Sequence, residues 1–102
     1  MKTIKILSSH IEEEINDAKT YGMLAIDNKD EHPELASVYY KLAEDELVHV
    51  GRLHDAVVSE IRAYREEHGD PPDNMMAVYE YLHERHIECE AEARAILAQY
   101  RR

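Results

Sequence analysis

The sequence predicts an all-α protein built from three helices. The content of Ala, Leu, Glu, Arg and Lys favours helix throughout, and the 102 residues include only three Gly and three Pro. Apolar residues recur at the three- and four-residue spacing of amphipathic helices. Two groups of helix breakers, one around Pro33 and the other in the run Gly69-Asp-Pro-Pro-Asp73, divide the chain into helices at about 4–28, 33–68 and 72–101.

The length and the charge limit what the chain can do. A chain of 102 residues forms one domain (1–102) and buries only a modest core alone, so we expect a partner subunit. The net charge of −10 argues against nucleic-acid binding and raises the local concentration of cations. Most of the acidic side chains are expected to lie on the surface and keep the protein soluble.

The sequence also predicts a cytoplasmic protein with no membrane partner. The N-terminal apolar residues are interrupted by Lys5 and Ser8 and run into three acids, which makes a poor signal peptide. No apolar run approaches the length that spans a bilayer. Cys89 is the one cysteine, which excludes an internal disulfide and fits a reducing compartment.

The first helix carries one apolar stripe and one inward-facing acid. We expect it to begin at Thr3 or at Ser9, since Ser9 and Glu12 have the spacing of a capping box and Ile4 and Leu7 keep the helical phase upstream. The predicted buried stripe is Leu7, Ile11, Ile15, Ala18, Gly22 and Ala25. Glu14 lies about 60° from the centre of this stripe, whereas Glu13 points away from it.

The second helix places two metal-ligand residue types on an apolar line. Pro33 suits its first turn and Gly69 its end, which makes it about 54 Å long. Relative to Leu42, the residues within about 40° of one line are Leu35, Val38, Leu53 and Ala56, together with Glu46 and His49. A Glu and a His at positions i and i+3 can reach one ion. Because burying a lone carboxylate is costly, we expect either a metal or a metal-free polar network here.

The third helix has an apolar stripe with polar residues beside it. The predicted stripe is Met75, Val78, Leu82, His86, Cys89, Ala93, Ile96 and Tyr100. The residues on its flanks are His83, Glu90 and Glu92. His83 and His86, with Glu60 of the second helix, can form a second polar cluster, and a surface-exposed or hydrogen-bonded set is the competing interpretation.

Counting from the turns predicts which side chains meet. Glu14 lies about 17 residues before the first turn, and Glu46 and His49 about 15 to 18 residues after it, so the three are level in an antiparallel pair. The sequence therefore predicts a metal site at Glu14, Glu46 and His49. On the third helix, Glu90 and Glu92 are level with His49, and they are further candidate ligands together with His86.

Two segments resemble a known family. Glu14-Ile-Asn-Asp-Ala-Lys-Thr-Tyr21 and Leu42-Ala-Glu-Asp-Glu-Leu-Val-His-Val-Gly-Arg-Leu53 resemble the first two helices of the rubrerythrin branch of the ferritin-like superfamily, and also the encapsulated ferritins. The resemblance covers Ile11–Val58. It departs from a single-chain rubrerythrin in having no second helix pair with another Glu-x-x-His and no Cys-x-x-Cys module, which leaves electron delivery within the chain unsupported.

The resemblance implies a ferritin-like bundle whose four-helix core is completed in a homodimer or a larger homo-oligomer. It further implies a di-iron centre, with Mn as another possible metal, in which Glu46 bridges or chelates, His49 supplies a nitrogen and Glu14 is a terminal carboxylate. The implied activity is that of a ferroxidase, which oxidises Fe(II) with oxygen or peroxide. The alternative is a non-enzymatic helical interaction module on the same scaffold, because a fold does not fix a function.

Overall fold

A computed structural model describes residues 2–102, which form three long helices. They are α1 (Lys2–Asn28), α2 (Pro33–His68) and α3 (Asp73–Arg101). The helices lie side by side in a rod of 56 × 18 × 18 Å. The all-α prediction is confirmed, and the predicted helix ends differ from the observed ones by at most two residues. Within residues 2–102, no helix combines the length and the apolar character needed to cross a membrane.

Two short connections reverse the chain. At the first, the backbone N–H of His32 donates to the carbonyl of Asn28 at 2.8 Å, and Pro33 opens α2 where no N–H is needed. At the second, Gly69 has a φ of 78°, a conformation that glycine adopts without strain, and its N–H donates to the carbonyl of Arg65. Both connections are short, so consecutive helices run antiparallel, and α3 packs mainly against α1.

The core lies mainly between α1 and α2. The stripe predicted on α1 is confirmed, since Ile11, Ile15, Ala18, Gly22 and Ala25 are all buried and Leu7 is partly buried. One cluster of buried residues packs Ile4, Ile11 and Ile15 against Val50, Val57 and Ile61 of α2. A second cluster, nearer the first turn, joins Ala18, Ala43, Leu47, Ala93 and Leu97, where the small alanines allow the three helices to approach closely.

The buried face of α2 is not the face that the sequence predicted. The residues that α2 buries are Ala36, Ala43, Leu47, Val50, Val57 and Ile61. These lie roughly 100° around the helix from the line centred on Leu42. Leu35, Val38 and His49 on that line are exposed, and Leu42 is only partly buried. Helix α2 therefore has a second apolar face that the single chain covers in part: Leu53 packs against the core, whereas Leu35 and Val38 are exposed.

Helix α3 packs against the hairpin with a narrower stripe than predicted. Ala93 and Leu97 are its buried residues, whereas Val78 is exposed and the other residues of the predicted stripe are partly buried. It approaches α1 closely at Gly22, where a Cβ atom would lie 2.8 Å from Ile96 Cγ2. At Gly51, by contrast, a Cβ atom would meet nothing within 4 Å. Close helix packing is thus present at Gly22 and absent at Gly51.

Candidate metal centre

The antiparallel hairpin brings Glu14, Glu46 and His49 together. Glu14 projects from α1, and Glu46 and His49 project from neighbouring turns of α2. One ligand atom from each side chain lies within 4.8 Å of the other two. Among residues 2–102, this is the one group of three or more His, Cys, Asp or Glu side chains with such close ligand atoms. Counting from the first turn predicted that these three side chains lie at the same height along the helix pair, and the structure agrees.

The imidazole of His49 lies between the two carboxylates. Its Nδ1 atom is 3.5 Å from Glu14 Oε2 and 3.7 Å from Glu46 Oε2. Protein nitrogen and oxygen ligands bind a divalent ion at about 2.0–2.2 Å, which places two ligands of one ion about 3 Å apart. The three side chains thus need only small rotations to reach a shared ion. Two hard oxygen donors and one imidazole suit Fe or Mn.

Glu46 has an unsatisfied oxygen inside this group. Its Oε2 atom is buried and has no hydrogen-bond partner, and His49 Nδ1 at 3.7 Å lies beyond hydrogen-bond range. An unpaired buried carboxylate oxygen is costly, because a carboxylate leaves water at a large loss of solvation energy. A bound cation would satisfy this oxygen and would also offset the repulsion between the two carboxylates.

The group opens outward along one side of the hairpin. The side-chain exposure is 18% for Glu46, 28% for Glu14 and 47% for His49. On α2 the same line continues through the exposed side chains of Leu35 and Val38. The site is therefore half-buried, and exposed apolar side chains lie further along the same line of α2.

The candidate ligands on α3 have other partners. Glu92 Oε2 accepts a hydrogen bond from Lys19 Nζ at 2.7 Å, which lowers the pKa of this exposed carboxyl group. Glu90 Oε1 accepts a hydrogen bond from Arg94 at 2.9 Å. His86 lines a cavity with Glu12, Lys19 and Cys89. In the part of the chain that the structure describes, α3 adds no ligand atom to the group of Glu14, Glu46 and His49.

Two tyrosines lie on the same side of the hairpin, nearer the first turn. The rings of Tyr21 and Tyr39 stack with centroids 6.1 Å apart. Each tyrosine is seven residues, or about 10 Å, from a carboxylate on its own helix. Their mutual stacking gives both rings a packing role in holding α1 and α2 together.

A second polar cluster forms elsewhere, with a member that the sequence did not predict. The ring of His54 on α2 stacks on His83 with centroids 4.8 Å apart. Both histidines line a cavity of about 120 Å³ together with His86 and Glu90. Glu60, expected in this cluster, instead lines a different cavity at the end of the rod with Lys2 and Tyr64.

His54 was missed because it falls off the line centred on Leu42, which was taken as the inward face of α2. His54 lies about 16 residues before the second turn, whereas His83 lies about 12 residues after it. Because these distances differ, counting residues from the turn did not predict that the two histidines meet. The signal that identifies His54 is its position on the other apolar face of α2, four residues after Val50 and three before Val57.

Electrostatics distinguish His86 within this second cluster. Burial lowers the pKa of His86 below its ordinary value, and the nearby charges of His83, Arg85 and His54 act in the same direction. The carboxylate of Glu12 acts against them and raises the pKa. The outcome favours a neutral imidazole at His86.

Comparison with known proteins adds no family assignment. No protein-family model, curated protein sequence or solved structure matches this chain.

Proposed function

We propose that the protein is a ferritin-like di-iron carboxylate protein that binds iron, or Mn, and oxidises Fe(II) with oxygen or peroxide. The observation that carries the proposal is the convergence of Glu14, Glu46 and His49 around a buried oxygen that has no partner. This donor set fits iron, since it combines hard carboxylate oxygens with one imidazole nitrogen. When bound, paired iron ions supply the electrons that reduce oxygen or peroxide.

The donor set of one chain is half of a paired-metal site. Di-iron centres in four-helix bundles use four carboxylates and two histidines, and one chain supplies two carboxylates and one histidine here. A two-fold axis beside the group would add the second set without any new residue, because such a contact uses one patch twice. We propose that a homodimer, or a larger assembly of dimers, forms the site.

The second apolar face of α2 supports this assembly. Leu35 and Val38 are exposed in the single chain and lie on the same line as Glu46 and His49. A partner hairpin seated on this line would bury the apolar side chains and cover the ligands together. Glu14 and Glu46 would then hold cations in a site shielded from water, and His49 would occupy its outer position.

An anaerobic Fe(II) titration with a count of iron per chain tests the proposal. We expect one iron per chain in a dimeric species, and we expect Glu46→Ala and His49→Ala each to abolish tight binding while the helix content stays nearly unchanged. The matched control is Glu44→Ala, which removes an exposed acid from the same helix. Stoichiometric iron binding by the Glu46→Ala/His49→Ala double variant would refute the site.

One observation favours a second candidate, the non-enzymatic interaction module. The exposed apolar line of α2 is also what a helix-binding surface without turnover would present. Oxygen consumption on adding Fe(II) separates the two, because the module would consume no more oxygen than the Glu46→Ala/His49→Ala variant. Iron-dependent consumption that this variant lacks would support the di-iron protein.

A further inference from the structure

The second polar cluster contains three histidines from two helices around one cavity. His83 and His86 lie three residues apart on α3, and His54 faces them from α2. All three side chains are partly buried. The cavity wall also includes Glu90 and the bare backbone of Gly51, beside which a side chain would find open space. With about 120 Å³, the cavity has room for an ion and a few waters.

The geometry points to a second metal site, and we propose that His54, His83 and His86 bind a borderline divalent ion such as Zn²⁺ or Cu²⁺. Three imidazoles favour these ions, whereas carboxylate oxygens favour Fe and Mn. Two histidines at positions i and i+3 share one helix face, and a third from the neighbouring helix completes a three-nitrogen set. Glu90 lines the same cavity, but its Oε1 atom is already paired with Arg94.

Binding requires a local rearrangement of the rings. His83 stacks on His54 on one side and on Tyr79, at 5.8 Å, on the other. The three imidazoles do not have their nitrogens within 4.8 Å of one another, since only the carboxylate group meets that limit among residues 2–102. For one ion to bind all three, His54 and His83 would have to change rotamer so that their nitrogens leave the stack and face His86.

This site is chemically and spatially distinct from the carboxylate group, so its test does not depend on iron chemistry. The probe is Zn²⁺, titrated in competition with a chromophoric chelator. A variant with Glu14→Ala, Glu46→Ala and His49→Ala is expected to keep one Zn²⁺ per chain. In that background, His54→Ala, His83→Ala and His86→Ala are each expected to weaken Zn²⁺ binding at least tenfold, as expected when a metal ligand is removed.

The matched control is His32→Ala, because His32 is exposed at the first turn and its side chain makes no capping hydrogen bond. It is expected to leave Zn²⁺ binding unchanged. Loss of Zn²⁺ uptake on removal of the carboxylate group alone, or equal weakening by His32→Ala, would overturn the proposal. Circular dichroism identifies any histidine variant that has lost helix.

A measurement on the unmodified protein keeps the proposal testable if a variant fails to fold. On adding one equivalent of Zn²⁺, the imidazole NMR signals of His54, His83 and His86 are expected to shift, and that of His32 to stay. With Cu²⁺, the electron paramagnetic resonance spectrum is expected to show coupling to at least three nitrogens. A spectrum in which His49 alone still responds when Zn²⁺ is in excess over both sites would overturn the second site.

Discussion

Glu46 is a partly buried acidic side chain whose carboxylate is not fully hydrogen-bonded. Its Oε2 atom is buried without a hydrogen bond, and the carboxylate of Glu14 belongs to the same close group. We expect Glu46→Gln to raise the free energy of unfolding of the metal-free protein by about 1 kcal/mol, because the amide removes a like charge and can donate to Glu14. Urea denaturation in the presence of a chelator measures the change.

The same substitution should remove stabilisation by metal. Fe(II) or Mn(II) is expected to raise the unfolding free energy of the unmodified protein, since a ligand that binds only the folded state stabilises it, and to leave Glu46→Gln unaffected. Glu44→Gln, an exposed change two residues away, controls for the loss of one surface charge. A metal-free Glu46→Gln protein that is less stable than the parent would mean that the carboxylate is satisfied without metal.

His86 should make stability depend on pH. Its pKa in the folded protein is lowered by burial, with His83, Arg85 and His54 adding to the effect and Glu12 opposing it. The unfolded chain therefore binds a proton first as the pH falls below about 6.5, the ordinary value. The contribution of His86 is fully present above that pH and is lost as the pH falls toward the lowered value.

Unfolding free energies measured between pH 7.5 and pH 5 with a chelator present test this sign. The slope against pH is expected to be shallower in His86→Gln than in the parent protein. His32→Gln, which alters an exposed histidine at the turn, should keep the parent slope. Parallel curves for His86→Gln and the parent would rule out His86 as the source.

The helices differ in how well the sequence predicted their packing. On α1 a single stripe is apolar, so its phase identified both the buried residues and the inclination of Glu14 toward α2. On α2 two faces are apolar: the line of Leu35, Val38 and Leu42, and the alanine-containing face that packs on α1. The first has larger and more hydrophobic side chains, so hydrophobicity alone predicts that it is the buried face. Close helix packing favours the small residues instead.

The candidate site was nevertheless predictable, because Glu46 lies between the two faces of α2 and His49 lies on the predicted line one turn further on. Counting residues from the turn fixed their level relative to Glu14, and an error in helix rotation did not separate them. The second cluster was not predictable in the same way. The contact between His54 and His83 depends on the rotation and the lengthwise position of α3 against the hairpin, and the sequence pattern of α3 does not determine either.

Gly22 and Gly51 provide a matched pair for testing helix packing. An alanine at Gly22 would place its Cβ 2.8 Å from Ile96 Cγ2, so Gly22→Ala is expected to destabilise the protein by about 1–3 kcal/mol despite the better helix propensity. Gly51→Ala meets open space in the single chain and is expected to stabilise it by up to about 1 kcal/mol. Thermal and urea unfolding compare the two variants.

A double-mutant cycle identifies the cause at Gly22. Ile96→Ala removes the Cγ2 atom that the new side chain would strike. The Gly22→Ala/Ile96→Ala protein should therefore be less destabilised than the sum of its single variants. If the effects are additive, the loss of stability in Gly22→Ala arises within α1 and not from its contact with α3.

At the scale of the whole molecule, α3 and the candidate metal centre occupy different sides of the α1–α2 hairpin. Helix α3 is held through the contact at Gly22, the Lys19–Glu92 pair and the stacking of Tyr40 on Tyr100 at 4.8 Å. These contacts leave the line of Leu35, Val38 and His49 uncovered. A rod only 18 Å thick has little interior, so a partner on this line would add the core that one chain lacks.

Val38 tests whether that line is the dimer contact. It is 52% exposed and lies eight residues, or about 12 Å, from Glu46, so Val38→Lys leaves the ligands in place. If two copies pack along this line, two buried lysines would face each other across the axis, and sedimentation should show a monomer with iron binding at least tenfold weaker. Val78→Lys on α3, where the native side chain is 54% exposed, should leave a dimer with unchanged iron binding. A Val38→Lys protein that stays dimeric would move the contact elsewhere, whereas a monomer that binds iron as tightly as the parent would show that one chain holds the metal alone.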